Sequence, residues 1–219
     1  MLSWQLACVC ADSAEGRDYL AAMRAAANFA FVNRTLLAND VRSAFAEVFG
    51  ADAGRGMRQV YDVAHNVAKE EEHVLPGGGG TRRLLVHRKG ATRAFPPGHP
   101  SLPARYAATG QPVLVGGSMS TSSYVLAGAA GAMQRTFGST CHGAGRALSR
   151  AKALRTLDSR QVLRSCEDAG VEVRIQTRRL AAEEAAAAYK DVEQVVQTCT
   201  DAGISRLVAK LRPVISVKG

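Results

Sequence analysis

From residue 73 to residue 157 the chain has no aspartate and no glutamate. With 19 acids in 219 residues, a stretch of that length would carry about seven at the chain's own average. The same stretch holds Arg82, Arg83, Arg88, Lys89, Arg93, Arg105, Arg135, Arg146, Arg150, Lys152 and Arg155, and the formal net charge of the chain is +9. A solvated surface normally mixes both signs. The imbalance is the footprint expected of a polyanionic partner, nucleic acid first, with a merely basic surface as the other reading.

Other absences narrow the class. No apolar run approaches the ~18 residues of a membrane span, so no membrane-spanning helix is expected. The apolar opening, residues 1–11, is short and has no positive flank before it, and a signal peptide is not expected there. Five cysteines (8, 10, 141, 166 and 199) make an odd count without a CxxC pair, which predicts neither a disulfide framework nor a zinc knuckle. That usage suits an intracellular, reduced protein, cytoplasmic or nuclear. No GxxxxGK[ST] is present, and after Gly143 and Gly145 the third position of a dinucleotide fingerprint holds Leu148. Strands and helices mix without βαβ alternation, so the expected class is α+β rather than doubly wound.

The chain is organised around Thr136-Phe137-Gly138-Ser139-Thr140-Cys141-His142-Gly143-Ala144-Gly145-Arg146. Glycines let backbone turn tightly and approach a ligand closely, and successive N–H groups in such a turn can form an anion-binding nest. Residues 146–155 read as a helix, which would put Arg146 and Arg150 on one face beside a phosphate-favouring N-terminus. The spacing alone leaves His142 either as a histidine working on phosphate or as a structural residue.

The rest reads as scaffold and candidate loops. Residues 12–49 are expected to be helical, with a capping-box-like start at Asp12 and Glu15 and a break at Asn33-Arg34-Thr35. Residues 51–57 read as a loop, and residues 59–66 as a short strand ending in His65-Asn66. His65 is a metal ligand or a hydrogen-bonded core histidine. Residues 69–72 form a charge cluster, and Gly77 to Gly80 a loop tip. Strands are expected at 84–87 and 112–115, the second delivering Gly116-Gly117-Ser118-Met119-Ser120-Thr121-Ser122-Ser123. That loop can offer N–H groups and hydroxyls to a nucleotide, or be an ordinary Ser/Thr turn. Helices are expected at 159–168, 183–189 and 192–201, and strands at 171–175 and 211–217. On spacing alone Tyr189 lies on a helix surface and Lys218 at a frayed end.

Several of these stretches together carry a resemblance. Tyr61-Asp62-Val63-Ala64-His65-Asn66, His87-Arg88-Lys89-Gly90-Ala91-Thr92-Arg93-Ala94-Phe95-Pro96-Pro97, Gly116-Gly117-Ser118-Met119, Ser139-Thr140-Cys141-His142-Gly143-Ala144-Gly145-Arg146 and the closing residues 211–219 resemble the RtcB family, in the right order from about Gln5 to Gly219. These are RNA-splicing ligases that join a 3′-phosphate or 2′,3′-cyclic phosphate end to a 5′-hydroxyl. The resemblance implies an RtcB-like α+β fold and a GTP- and manganese-dependent reaction. His142 matches the histidine that takes GMP as a phosphoramidate and hands it to the RNA 3′-phosphate, splitting one hard step into two.

Further roles follow from the resemblance. Gly116, Gly117, Ser118, Met119, Ser123, Tyr189 and Lys218 match positions that hold the guanine nucleotide, with Asn66 near it. Gly143, Ala144 and Gly145 would stabilise the transferring phosphoryl, and His65 matches a manganese ligand. Arg146 and Arg150 would grip phosphates, as paired guanidiniums do well. The implied partners are RNA (tRNA halves or other cleaved RNA), GTP, an activating partner protein and other ligase-complex subunits.

The family's upstream manganese and phosphate motifs are not recognisable in the sequence. Residues 1–219 are therefore expected to be the C-terminal portion of one catalytic domain, incomplete at its N-terminal side. Ser120 stands where glycine is usual, and the run Gly77 to Gly80 looks like a small surface insertion. The alternative function is a catalytically incomplete module that only binds guanine nucleotide or RNA.

Overall fold

A computed structural model describes residues 7–218; the opening as far as residue 6, and Gly219 of the closing motif, lie outside the described residues. The fold is α+β, as expected. Its elements are α1 (Ala14–Phe49), α2 (Ala51–Gly56), β1 (Asn66–Val74), β2 (Thr81–Lys89), β3 (Ala91–Arg93), β4 (Pro112–Val115), β5 (Ser123–Gly128), α3 (Ala130–Thr136), β6 (Ser139–Cys141), α4 (Arg150–Thr156), α5 (Ser159–Asp168), β7 (Glu172–Ile175), α6 (Arg178–Glu183), α7 (Val192–Asp201), β8 (Ser205–Leu211) and β9 (Ile215–Lys218). They pair as small sheets: an antiparallel β1–β2 hairpin, an antiparallel β3–β6 pair, an antiparallel β4–β5–β8 sheet and a parallel β7–β9 pair.

The first helix runs without the expected break at Asn33-Arg34-Thr35. Thr35 donates its hydroxyl back to the Phe31 carbonyl at 3.0 Å, and Arg34 Nε reaches Asp62 Oδ1 at 2.6 Å. Arg34 and Thr35 thus find partners without leaving the helix. Ser13, not Asp12, caps it, accepting from the Gly16 N–H at 3.0 Å. The expected loop after it is the short helix α2.

Residues 59–65 do not form the expected strand; pairing begins only at Asn66. The segment is tied by side chains instead. The Tyr61 hydroxyl accepts from Gln111 Nε2 at 2.8 Å, and Asp62 takes the Arg34 guanidinium. The charge cluster expected at 69–72 lies inside β1, which pairs with β2 from Asn66↔Lys89 to Val74↔Thr81. The helix expected at 183–189 is also absent. Helix α6 stops at Glu183, residues 186–188 make one 3-10 turn, and Tyr189 is extended (φ −114°, ψ 159°). The strand expected at 211–217 is two strands, separated where Pro213 removes a ladder donor. Strand β4 and helices α5 and α7 lie where the hydrophobic pattern placed them.

Two clusters of buried side chains support the site. One joins Ala94, Val113, Val115, Tyr124, Leu126, Ala132, Ala144, Val192 and Val196, drawn from the end of β3, from β4, β5, α3 and α7, and from the turn after His142. The other joins Met119, Cys166, Val171 and Ala181. Among the described residues, no helix is long and apolar enough to cross a membrane.

Candidate active site

Strand β3 pairs with β6 and sets Cys141 opposite Ala91, so His142 leaves the ladder beside Gly90. Gly90 turns the chain between β2 and β3 at φ +68°, a left-handed conformation that L side chains rarely adopt. Its carbonyl lies 2.6 Å from His142 Nδ1. A carbonyl only accepts, so Nδ1 carries the hydrogen. In the neutral ring Nε2 is then left with its lone pair.

The Gly90 N–H is equally engaged. It donates to the His65 carbonyl at 2.9 Å and to Asn66 Oδ1 at 3.2 Å. One residue therefore connects all three candidates, and the His65 and His142 rings lie flat on one another, 4.7 Å apart and 1° from parallel. His65 is exposed, His142 half-buried. Partial burial pushes the His65 pKa down, and His142, Arg34 and Lys89 add to the fall. A lowered value favours the neutral, ligand-competent imidazole.

The two glycine turns meet through backbone. The Gly116 N–H donates to the His142 carbonyl at 3.2 Å and the Ala144 N–H to the Gly116 carbonyl at 2.9 Å. The expected nest is thus smaller than three N–H groups, because that of Ala144 is spent inside the fold and its methyl is buried in the core. Open space lies where a Cβ would stand on Gly116 and on Gly145, with no heavy atom within 4 Å of either. Behind them the Gly117 N–H donates to Ser123 Oγ at 3.2 Å and the Ser118 N–H to Thr121 Oγ1 at 2.7 Å. The Met119 side chain is buried in the second core cluster, which anchors this loop.

Arg146 and Arg150 do not share a helix face. Helix α4 begins at Arg150, capped by Ser149, and Arg146 lies before it in an extended stretch bridged to Tyr189. Its guanidinium donates to Leu148 O at 3.0 Å, Tyr189 Oη at 3.0 Å and Glu183 O at 2.6 Å, and sits 4.8 Å over the Tyr189 ring. Arg150 stays largely exposed, 3.6 Å from a Glu183 carboxylate oxygen.

Tyr189 and Lys218 are not surface and frayed-end residues. Both converge on Glu184: the Tyr189 hydroxyl donates to Oε2 at 2.7 Å and Lys218 Nζ lies 3.5 Å from the same oxygen, while Arg146 Nη1 is 3.6 Å from Oε1. Burial alone would raise the Glu184 pKa, but Tyr189, Lys218 and Arg146 outweigh it and hold the carboxyl below its ordinary value. Burial raises the Tyr189 phenol, and the neighbouring carboxylate adds to the rise. Glu184 and Gly90 are the residues that sequence reasoning missed. The adjacent acids in an alanine-rich stretch, and a glycine between a lysine and an alanine at a strand end, were the signals available.

The basic stretch is partly neutralised from outside itself. Arg83 pairs with Glu70, Arg88 with Glu71, Arg146 with Glu184 and Arg150 with Glu183. Arg82, Lys89, Arg93, Arg105, Arg135, Lys152 and Arg155 make no ion pair among the described residues. Arg88 is buried and works as a strut. Besides its two-pronged grip on Glu71, it donates to Ser139 Oγ at 2.9 Å and to the Phe137 carbonyl at 3.0 Å, fixing the turn that leads to His142.

A metal needs more than His65. Among the described residues no group of three or more His, Cys, Asp or Glu side chains is placed to hold an ion. One imidazole is not a coordination set for a divalent cation.

These features define an α+β protein with a tautomer-locked histidine between two glycine turns. A family model described as tRNA-splicing ligase RtcB matches residues 1–219. The chain belongs to that family, whose members are RNA ligases of tRNA splicing.

Proposed function

We propose that the chain carries the nucleotide-accepting half of a GTP-dependent RNA ligase, with His142 as nucleophile. The observation that carries this reading is the Gly90 carbonyl on His142 Nδ1, which leaves Nε2 as the ring's electron-pair donor. In the proposed first step Nε2 attacks the α-phosphorus of GTP and pyrophosphate leaves. The histidine-bound GMP then passes to an RNA 3′-phosphate, and the 5′-hydroxyl of a second RNA end displaces it. Nucleophilic catalysis of this kind replaces one high barrier with lower ones.

The surroundings fit a nucleotide. The open space at Gly116 and Gly145 admits close approach of a phosphate chain, and Ser123 holds the first loop in shape through the Gly117 N–H. Tyr189, on the segment that bridges to Arg146, and Lys218, at the end of β9, are gathered by Glu184. The exposed cations of the acid-free stretch suit the RNA backbone. We assign His65 a manganese-ligating role only as one member of a larger set. The remaining ligands are not among the described residues. On this reading the chain is the C-terminal portion of the catalytic domain.

The absence of a coordination set among the described residues favours a second reading, a module that binds guanine nucleotide or RNA without chemistry. Incubation of the purified chain with α-labelled GTP and manganese, beside His142→Ala, separates the two. An acid-labile guanylate adduct that vanishes in the variant supports the ligase reading. A folded wild-type chain without adduct supports the binding module.

A further inference from the structure

Next to the candidate nucleophile lies a cysteine pair that the proposed reaction does not use. Cys141 ends β6 and Cys199 sits on α7, 58 positions further along the chain, yet their sulfurs are 3.6 Å apart. Both are half-buried, whereas Cys166 is fully buried and Cys8 and Cys10 are exposed. The pair is therefore within reach of small oxidants but shielded from large thiols. We propose that Cys141 and Cys199 form a reversible disulfide that switches off the histidine beside it; the loss of activity rests on the ligase reading, while the bond and its effect on the ring do not.

The chemistry balances with a peroxide as oxidant. The two thiols are not equivalent: the S–H of Cys141 beside it lowers Cys199 to about 6, while Cys141, hydrogen-bonded to Cys199 and desolvated by burial, is raised. Cys199 is thus the readier thiolate and Cys141 the readier proton holder. The Cys199 thiolate attacks one peroxide oxygen, the O–O bond breaks, hydroxide leaves, and a sulfenic acid forms. The Cys141 sulfur then attacks that sulfenic sulfur, the S–O bond breaks and water departs. Two thiols and one peroxide become one disulfide and two waters. A dithiol reductant reverses the step by exchange.

The bond acts on the site because of what flanks it. Closing 3.6 Å to a covalent S–S distance of about 2.0 Å requires the sulfurs to approach by more than an ångström. Cys141 is held opposite Ala91 and is followed at once by His142, whose ring meets Gly90 at 2.6 Å. Movement of Cys141, one peptide bond from His142, disturbs the contact with the Gly90 carbonyl that fixes the ring's tautomer. In a reducing compartment such pairs are transient and sensing rather than structural.

The test is peroxide titration of the full chain, followed by non-reducing peptide mapping and by nitrogen-15 NMR of the histidine rings. The expected result is a peptide cross-link joining Cys141 to Cys199, a change in the His142 Nδ1–H signal, and recovery of both with dithiothreitol. Cys199→Ser should prevent the cross-link and hold the His142 signal constant under peroxide, with guanylate labelling retained. The proposal is overturned if both thiols stay free at peroxide doses that oxidise Cys8 and Cys10. It is also overturned if the cross-link forms while the His142 ring signals stay unchanged. A chain that takes no guanylate in either redox state defeats the ligase reading alone, since the cross-link and the ring signals decide this one.

Discussion

The long helix α1 and the turn that carries His142 follow opposite building rules. Of the 36 residues of α1, only Gly16 is buried, and Phe29 and Val48 are 75% and 71% exposed. Around the candidate site even the small residues are enclosed: Ala94 and Ala132 are fully buried and Leu126 is 1% exposed. The helix is held by local hydrogen bonds and a few side-chain ties such as Arg34 to Asp62. The site is held by buried apolar contacts and by backbone bonds between distant segments. Stability and candidate function are thus concentrated in one region, and the helix is a less determined partner of it.

Substitutions can break or sharpen that contrast. The largest loss is expected from Arg88→Met, which strands the buried Glu71 carboxylate and frees the Phe137–Ser139 turn; breaking such a pair costs about 3–5 kcal/mol, read as a lower denaturation midpoint. Leu126→Ala should follow at about 2–5 kcal/mol, the usual cost of a core cavity, measured in the same denaturant melts. Glu184→Gln should show itself as a change of pH slope. The folded-state carboxyl titrates below its unfolded value, so its contribution is complete above the unfolded value of about 4.3 and is lost as pH falls through the lower folded one. Thermal melts should therefore fall less steeply with acid in the variant than in the wild type. Phe29→Ser should stay within about 0.5 kcal/mol, as for an exposed position. A cost above about 2 kcal/mol there, on the scale of a core position, would show that the face of α1 is packed and erase the contrast.

The sequence carried the site better than its supports. The glycine turns at 116–117 and 143–145 were legible because glycine reports backbone geometry directly, and the structure bonds the two together. The phosphate role of His142 came from the family resemblance, since its spacing left a structural histidine open. Strand β4 and helices α5 and α7 were legible because local apolar periodicity agrees with their packing. The uninterrupted helix was not, since Arg34 and Thr35 stay helical with partners, Asp62 and the Phe31 carbonyl, that the local pattern does not reveal. Strand β1 was hidden because Lys69, Glu70, Glu71 and Glu72 spoil its alternation, and only the tertiary pairing of Glu71 with buried Arg88 explains a carboxylate there. The gathering of Tyr189, Lys218 and Arg146 on Glu184 spans 73 positions, from Arg146 to Lys218, and leaves no local trace.

Gly90 has a consequence for how the two stacked histidines respond to one another. Its N–H holds the backbone carbonyl of one and its C=O holds the ring of the other. Only the φ and ψ of this one residue separate the bond to the segment bearing His65 from the bond to the His142 ring. A substitution that forces Gly90 out of its left-handed φ is expected to disturb both bonds at once.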